Sequence, residues 1–275
     1  MSVMVNTNVA AGVSSRNVGR SARTLSLSNS KLASGSRITT ASDDAAGLAV
    51  AENLQAANRS TRMAMRNLND GSSLLNVAEG ATSQTGDILI RMRELAVQSS
   101  SEALSQTERA YLAEEYNDMV AEIDRMSNVT SFNGKQLVDG NNPTVSIQVG
   151  INNSASDRVD IVMGDISVLT LGVHTSTAKI GSVATAQAAL EKIDDALNTV
   201  NGYMSDYGAV SNKLNHALNY LEIYSENLGS SETQIRDVDM AHESAYQARS
   251  QILNQASLSV LAQSKQIGQG ALGLL

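Results

Sequence analysis

The sequence predicts a mainly α protein, with long antiparallel helices forming coiled-coil bundles from both chain ends and one small β-hairpin region in the middle. Three observations predict it. Uncharged residues follow a four–three alternation from Val50 to Ala96, the mark of a buried helical seam. A single proline, Pro143, lets helices run unbroken elsewhere in the 275 residues. One Phe and no Trp leave Ala, Leu, Val and small polar residues to carry the packing, as in helical bundles.

Taken in order, the first helix shows Ala11, Ser15, Val18, Ala22, Leu25, Asn29 and Leu32 stepping by four and three. Gly35 and Ser36 suit its stop. Ser42 then precedes Asp43 and Asp44, a pattern for an N-cap with acids in the first turn. The long helix follows, over 43–99, with Val50, Leu54, Ala57, Thr61, Ala64, Leu68, Gly71, Leu75, Ala78, Thr82, Thr85, Leu89, Met92 and Ala96 as its seam. At 1.5 Å per residue it measures roughly 85 Å.

Ser99 to Gln106 is a polar break. The helix over 108–129 places Tyr111, Leu112, Tyr116, Met119, Val120, Ile123 and Met126 on one side, and the short connection makes it an antiparallel neighbour. Phe132-Asn133-Gly134 and Asp139-Gly140 signal turns. Val145, Ile147 and Val149 alternate with polar residues, as do Val159, Ile161 and Met163, which predicts a hairpin at about 144–164. Helix returns over 184–228, loosens at Gly229-Ser230-Ser231, passes a transition at Ile235 to Asp239, and resumes from about Ala241 to the end.

That last helix carries one charged side chain after Ser250, Lys265. Leu253, Ala256, Val260, Ile267 and Leu274 step by three and four, with Gln263 and Gly270 filling the gaps. A solvated helix needs more charge, and a membrane span needs about 20 apolar residues in a row. The predicted polymerisation seams are therefore Val18, Ala22, Leu25 and Leu32 at one end and Leu253, Ala256, Val260, Ile267 and Leu274 at the other. Two uncapped, seam-bearing terminal helices point to an assembly protein, paired with itself.

Several chemistries are excluded. There is no Cys, hence no disulfide or thiolate site. A pI near 4.9 argues against nucleic-acid binding. The segment from Met1 to Ser42 has five basic residues and no acid, as transit peptides do, but its seam gives it a structural role in the mature chain. His242-Glu243-Ser244-Ala245-Tyr246 begins like a zinc-hydrolase helix, yet Tyr246 stands where the second imidazole belongs. Asp43-Asp44 and Asp194-Asp195 are adjacent pairs whose members point apart on a helix. His174 and His216 lack evident partners. No enzyme, cofactor or metal site is expected.

The motifs resemble those of bacterial flagellin, in order and over nearly the whole chain. They are Val5-Asn6-Thr7-Asn8, Leu32 to Ile38 with Ala41 to Gly47, Asn69-Asp70-Gly71, Glu79-Gly80-Ala81, Arg91 to Gln98, Glu122-Ile123-Asp124-Arg125, Phe132-Asn133-Gly134, Ile147 to Gly150, and Ser250 to Ala256 with Ser259 to Gln263. The resemblance implies a short form without the variable outer domains. It implies an inner coiled-coil polymerisation domain of 1–42 plus 243–275 and an outer rod domain of 43–242. It also implies a filament subunit for swimming motility, located outside the cell and exported unfolded through the flagellar secretion channel. Its implied partners are the export apparatus, a cytoplasmic chaperone at the C-terminal helix, and the hook-junction and cap proteins. A Toll-like receptor of the host is a further implied partner, with Arg91, Leu95 and Glu115 as the matching contact. The nearest alternative is a hook–filament junction protein, which shares the helical ends.

Apolar burial, about 25 cal/mol per Å², must offset roughly 1–2 kcal/mol of backbone entropy per residue. The terminal helices are therefore expected to order poorly alone and to assemble cooperatively.

Overall fold

The computed structural model describes residues 8–272, and the side chains through Gln266. Helices α1 (Val9–Ser34), α2 (Ala45–Ser99), α3 (Gln106–Val129), α4 (Val183–Arg236) and α5 (Met240–Leu272) account for most of the chain. Between α3 and α4 lie two antiparallel strand pairs, β1 (Ser131–Phe132) with β2 (Lys135–Gln136) and β3 (Thr144–Gln148) with β4 (Arg158–Val162). Contacts divide the chain into a terminal unit, 1–58 with 226–275, and a central unit, 59–225. The helices α2 and α4 each run without interruption from one unit's residues into the other's.

In the terminal unit, α1 and α5 pack antiparallel. The expectation of uncapped ends fails at the start of α1, where the Asn8 side chain accepts the Ala11 N–H at 2.9 Å. Gly35, with φ of 68°, closes α1 in the left-handed conformation. Beyond it, Ser36 forms an antiparallel bridge with Asp237. Arg37 N–H donates to the Arg236 carbonyl at 2.6 Å, and Val238 N–H donates to Gly35 at 3.0 Å. The connections α1–α2 and α4–α5 are thus stitched together.

The cap of α2 is Asp44 rather than Ser42: its carboxylate accepts the Gly47 N–H at 2.8 Å. Asp43 serves the preceding turn, accepting from the N–H and hydroxyl of Thr39 and Thr40 at 2.9–3.2 Å. Four donors on one carboxylate, led by the Thr39 hydroxyl, bring its pKa down to about 2. Ser42 instead meets the Thr40 hydroxyl. A carboxylate outcompetes a hydroxyl for the positive end of a helix. The loosening expected at Gly229-Ser230-Ser231 is also absent, because α4 continues to Arg236. The Ser231 and Thr233 hydroxyls return to the carbonyls four residues back, at 2.8 Å each, and keep the turn helical.

In the central unit, every seam position of α2 from Thr61 to Ala96 is buried, whereas Val50 near its start is exposed. Thr82 and Thr85 are tolerated inside because their hydroxyls donate to Ala78 and Ala81. One apolar cluster joins Leu68, Leu75, Leu89 and Met92 of α2 to Tyr116, Val120 and Ile123 of α3, Ile161 of β4, and Ile193, Val200 and Tyr207 of α4. Tyr111, expected on the buried side of α3, is 67% exposed, while Arg109 is buried. The Arg109 guanidinium reaches back to the carbonyls of Ser99, Ser101 and Leu104 at 2.5–2.8 Å, so it satisfies the end of α2. A capping box of Ser105 and Glu108 starts α3. Asn133 and Gly134, at φ of 50° and 77°, make the β1–β2 turn.

Candidate assembly surface

The α1–α5 pair is joined by serine. Ser14, Ser21 and Ser28 on α1 and Ser250, Ser257 and Ser264 on α5 recur every seventh residue, and all are partly or fully buried. The Ser14 and Ser264 hydroxyls lie 3.3 Å apart. Ser28 donates to Glu243 at 2.6 Å, Gln247 donates to the Asn29 side chain at 2.6 Å, and Asn8 donates to the Ser264 carbonyl at 2.9 Å. Small side chains bring the two backbones within 8 Å of each other along the pair.

This arrangement redistributes the seam residues named from the sequence. Val18, Leu25 and Leu32 are half-buried in the pair, whereas Ala22 is exposed. On α5, Leu253 and Val260 are 53% and 52% exposed, Ala256 is exposed, and Ile252 is 66% exposed. The side chains of Ile267 and Leu274 lie outside the described residues. Leu253 lines two shallow grooves at the joint, one with Arg20, Ser21 and Tyr246, the other with Ser14, Asn17, Ala256 and Val260. Several large apolar residues of α5 are thus left exposed beside the joint, Leu253 and Val260 along its grooves, while Leu261 is half-buried. The signal for this in the sequence is the serine heptads, which hydropathy does not mark.

In the central unit, Arg91 donates to Glu115 at 2.8 and 3.3 Å and to Glu94 at 2.8 Å, joining α2 to α3. These carboxylates raise the pKa of the guanidinium, Glu115 foremost. Leu95 does not stand beside the pair on the surface: it is 1% exposed, part of the core. The exposed apolar neighbours are Ile90 and Val97, which line a groove with Arg93, Glu94 and Gln98. Arg93 also reaches Asp194 of α4 at 2.6 Å and lowers its pKa. Among the described residues, no cluster of three or more His, Cys, Asp or Glu suits a metal, and no helix is long and apolar enough to cross a membrane.

Comparison with known proteins agrees with this geometry. Residues 5–143 match the bacterial flagellin N-terminal helical region, and residues 190–275 match the bacterial flagellin C-terminal helical region. A flagellin of Halalkalibacterium halodurans is 42% identical over 275 residues, covering 99% of this chain and 100% of that one. The crystal structure of Bacillus cereus flagellin superimposes with a TM-score of 0.50 at 30% identity, over 57% of this chain and 88% of that one. A putative flagellar hook-associated protein from Vibrio parahaemolyticus has a TM-score of 0.60 at 16% identity, over 71% of this chain and all of that one, and shares the fold. With both helical regions matched and full-length identity of this order, the chain belongs to the bacterial flagellins, the structural subunits of the extracellular flagellar filament.

Proposed function

We propose that this flagellin polymerises through the faces of α1 and α5 that their mutual pairing leaves uncovered. The single observation that carries this is the exposed apolar stripe of α5, Ile252, Leu253 and Val260, on a helix with no acid after Glu243. Leu253, Ala256 and Val260, continued by Ile267 and Leu274, supply the apolar contact; Ala22 adds to it from α1, while Val18, Leu25 and Leu32 hold the pair beneath. Burying such a stripe against several copies at once returns about 25 cal/mol per Å². An interface repeated without closing then yields a helical polymer.

On this proposal, 1–42 with 243–275 forms the inner polymerisation domain and 43–242 the outer rod. The same stripe explains the need for export in an unfolded state through the flagellar channel and for a chaperone on α5, which keeps the stripe covered before assembly. Cap and hook-junction proteins would meet it at the filament ends. Recognition by a Toll-like receptor would rest on exposed Arg91 and Glu115, with Leu95 supporting them from within the core.

Deleting residues after Ser250 tests the proposal. The truncated chain should remain soluble and fail to extend filament seeds that the full chain extends. Filaments grown from the truncation would refute it. The second reading, a junction protein limited to rings, has less support, since the hook-associated protein shares only the fold at 16% identity. Closed rings instead of long filaments from the full chain would select it.

A further inference from the structure

The charges of the terminal unit are sorted between its chain segments. Over residues 8–34 and 240–272, the α1–α5 pair carries Arg16, Arg20, Arg23, Lys31, Arg249 and Lys265 and one acid, Glu243 at the start of α5. The remainder of the unit, 35–58 and 226–239, carries seven carboxylates against Arg37 and Arg236. Among the described residues, none of the six basic side chains has a salt bridge, and Arg16, Arg20 and Arg23 form an exposed stripe at helical spacing. In the acidic segments, Glu52, Glu226 and Asp237 are exposed and form no salt bridge among the described residues.

We infer that this separation is an axial docking code. The basic end of one copy's α1–α5 pair meets the acidic end of the next copy, so that electrostatics set the direction and offset of subunits while the apolar stripe supplies adhesion. The inference rests on polymerisation through α1 and α5 and names the partner surface there. Crowding many copies in parallel would bring six like charges per copy together, and a low-dielectric interface makes that repulsion costly. Displacing each neighbour along the axis by about the length of α1, roughly 39 Å at 1.5 Å per residue, replaces repulsion with attraction. The contact is heterologous and cannot close on itself, as a filament requires. Such complementarity governs orientation and rate of association more than adhesive strength.

The test uses three full-length variants: Arg16→Glu/Arg20→Glu/Arg23→Glu, Glu52→Lys/Glu226→Lys, and the chain carrying both sets. Seeded growth is followed by electron microscopy, with circular dichroism confirming helix content. Each single set should slow growth at least tenfold. An equal mixture of the two single sets, or the combined chain, should recover growth, since reversed ends then match. Wild-type growth on its own seeds should also slow as sodium chloride takes ionic strength from about 0.01 M to about 0.15 M, where the Debye length contracts from roughly 30 Å to 8 Å. Wild-type growth rates for the single sets, or no recovery on mixing together with salt-independent wild-type growth, overturn the inference. The truncation after Ser250, run alongside, separates this from failure of the polymerisation proposal: filaments from the truncation sink that proposal, whereas an inert truncation with unaffected charge variants sinks the axial code alone.

Discussion

Ser14 of α1 and Ser264 of α5 face each other with hydroxyl oxygens 3.3 Å apart, 250 residues apart in the chain, and mark the outermost rung of a serine ladder. Ser21 stands at the level of Ser257, and Ser28 at the level of Ser250, by the same antiparallel heptad spacing. The ladder holds the helices close because nothing larger intervenes.

Enlarging a rung should therefore separate the helices. Ser28→Leu, at a buried position, is expected to cost about 1–3 kcal/mol through overpacking and to lose the hydrogen bond to Glu243. Ser21→Ala, which keeps the rung small, should stay within about 0.5 kcal/mol. Thermal melting of the two variants distinguishes these outcomes, and equal melting points would show that close approach does not depend on the serines.

Much of this was legible in the sequence, and the exceptions share a cause. The α2 seam from Thr61 to Ala96 was readable because a helix buried along one side must keep charge off every seam position. The α1–α5 pair was less legible because it uses serine where a seam is normally sought in leucine, so the sequence did not separate the residues that close the pair from Ala22, Leu253 and Val260, which it leaves exposed. Hydropathy marks what prefers burial, and in a subunit the preferred burial can be supplied by another molecule. Leu95 is the converse: adjacent to exposed Glu94, it lies one step around the helix and is therefore inside. Asp44 took the cap from Ser42 since local competition for the same N–H groups is settled by charge and distance, which a motif does not reveal.

Acid should act on the turn before α2. The folded Asp43 pKa of about 2 lies below the ordinary value near 3.9, so its contribution is fully present above about pH 4 and is lost as pH falls through 2. A carboxyl carbon NMR titration should place the Asp43 midpoint near 2, and Asp43→Asn should flatten the stability profile of the monomer between pH 4 and 2. An Asp43 midpoint at the ordinary value would remove the proposed role of its four donors.

Two buried tyrosines should respond in opposite ways to loss of the hydroxyl. Burial pushes the Tyr116 phenol up to about 12, and its oxygen has no hydrogen-bond partner among the described residues. Tyr116→Phe is thus expected to be neutral or stabilising by up to about 1 kcal/mol. The Tyr207 oxygen accepts the Gly164 N–H at 2.8 Å, so Tyr207→Phe should cost about 1–2 kcal/mol by stranding a buried donor. Denaturant midpoints of the two variants should move apart; a shared direction would contradict this account.

Arg109 offers a sharper test of helix termination. Its replacement by Met keeps the apolar stem but abandons the carbonyls of Ser99, Ser101 and Leu104, for an expected loss of about 3 kcal/mol. Hydrogen exchange should accelerate first at the α2–α3 corner. Uniform acceleration throughout the central unit would assign Arg109 a role in global packing instead.

Gly164 meets Tyr203 so closely that an added Cβ would sit 2.5 Å from the ring. Gly164→Ala should therefore cost about 1–3 kcal/mol, and Gly164→Ala/Tyr203→Leu should recover part of it, as a double-mutant cycle can measure.

The bridge between Ser36 and Asp237 carries a mechanical consequence. Its three donors, Arg37 N–H to Arg236, Val238 N–H to Gly35 and the Arg37 guanidinium to Ile235, tie together the α1–α2 and α4–α5 connections. A pull on α1 is divided between two strands of chain instead of straining one. In a filament that is pulled or twisted, each joint then yields as a pair, and neither tether extends without its companion.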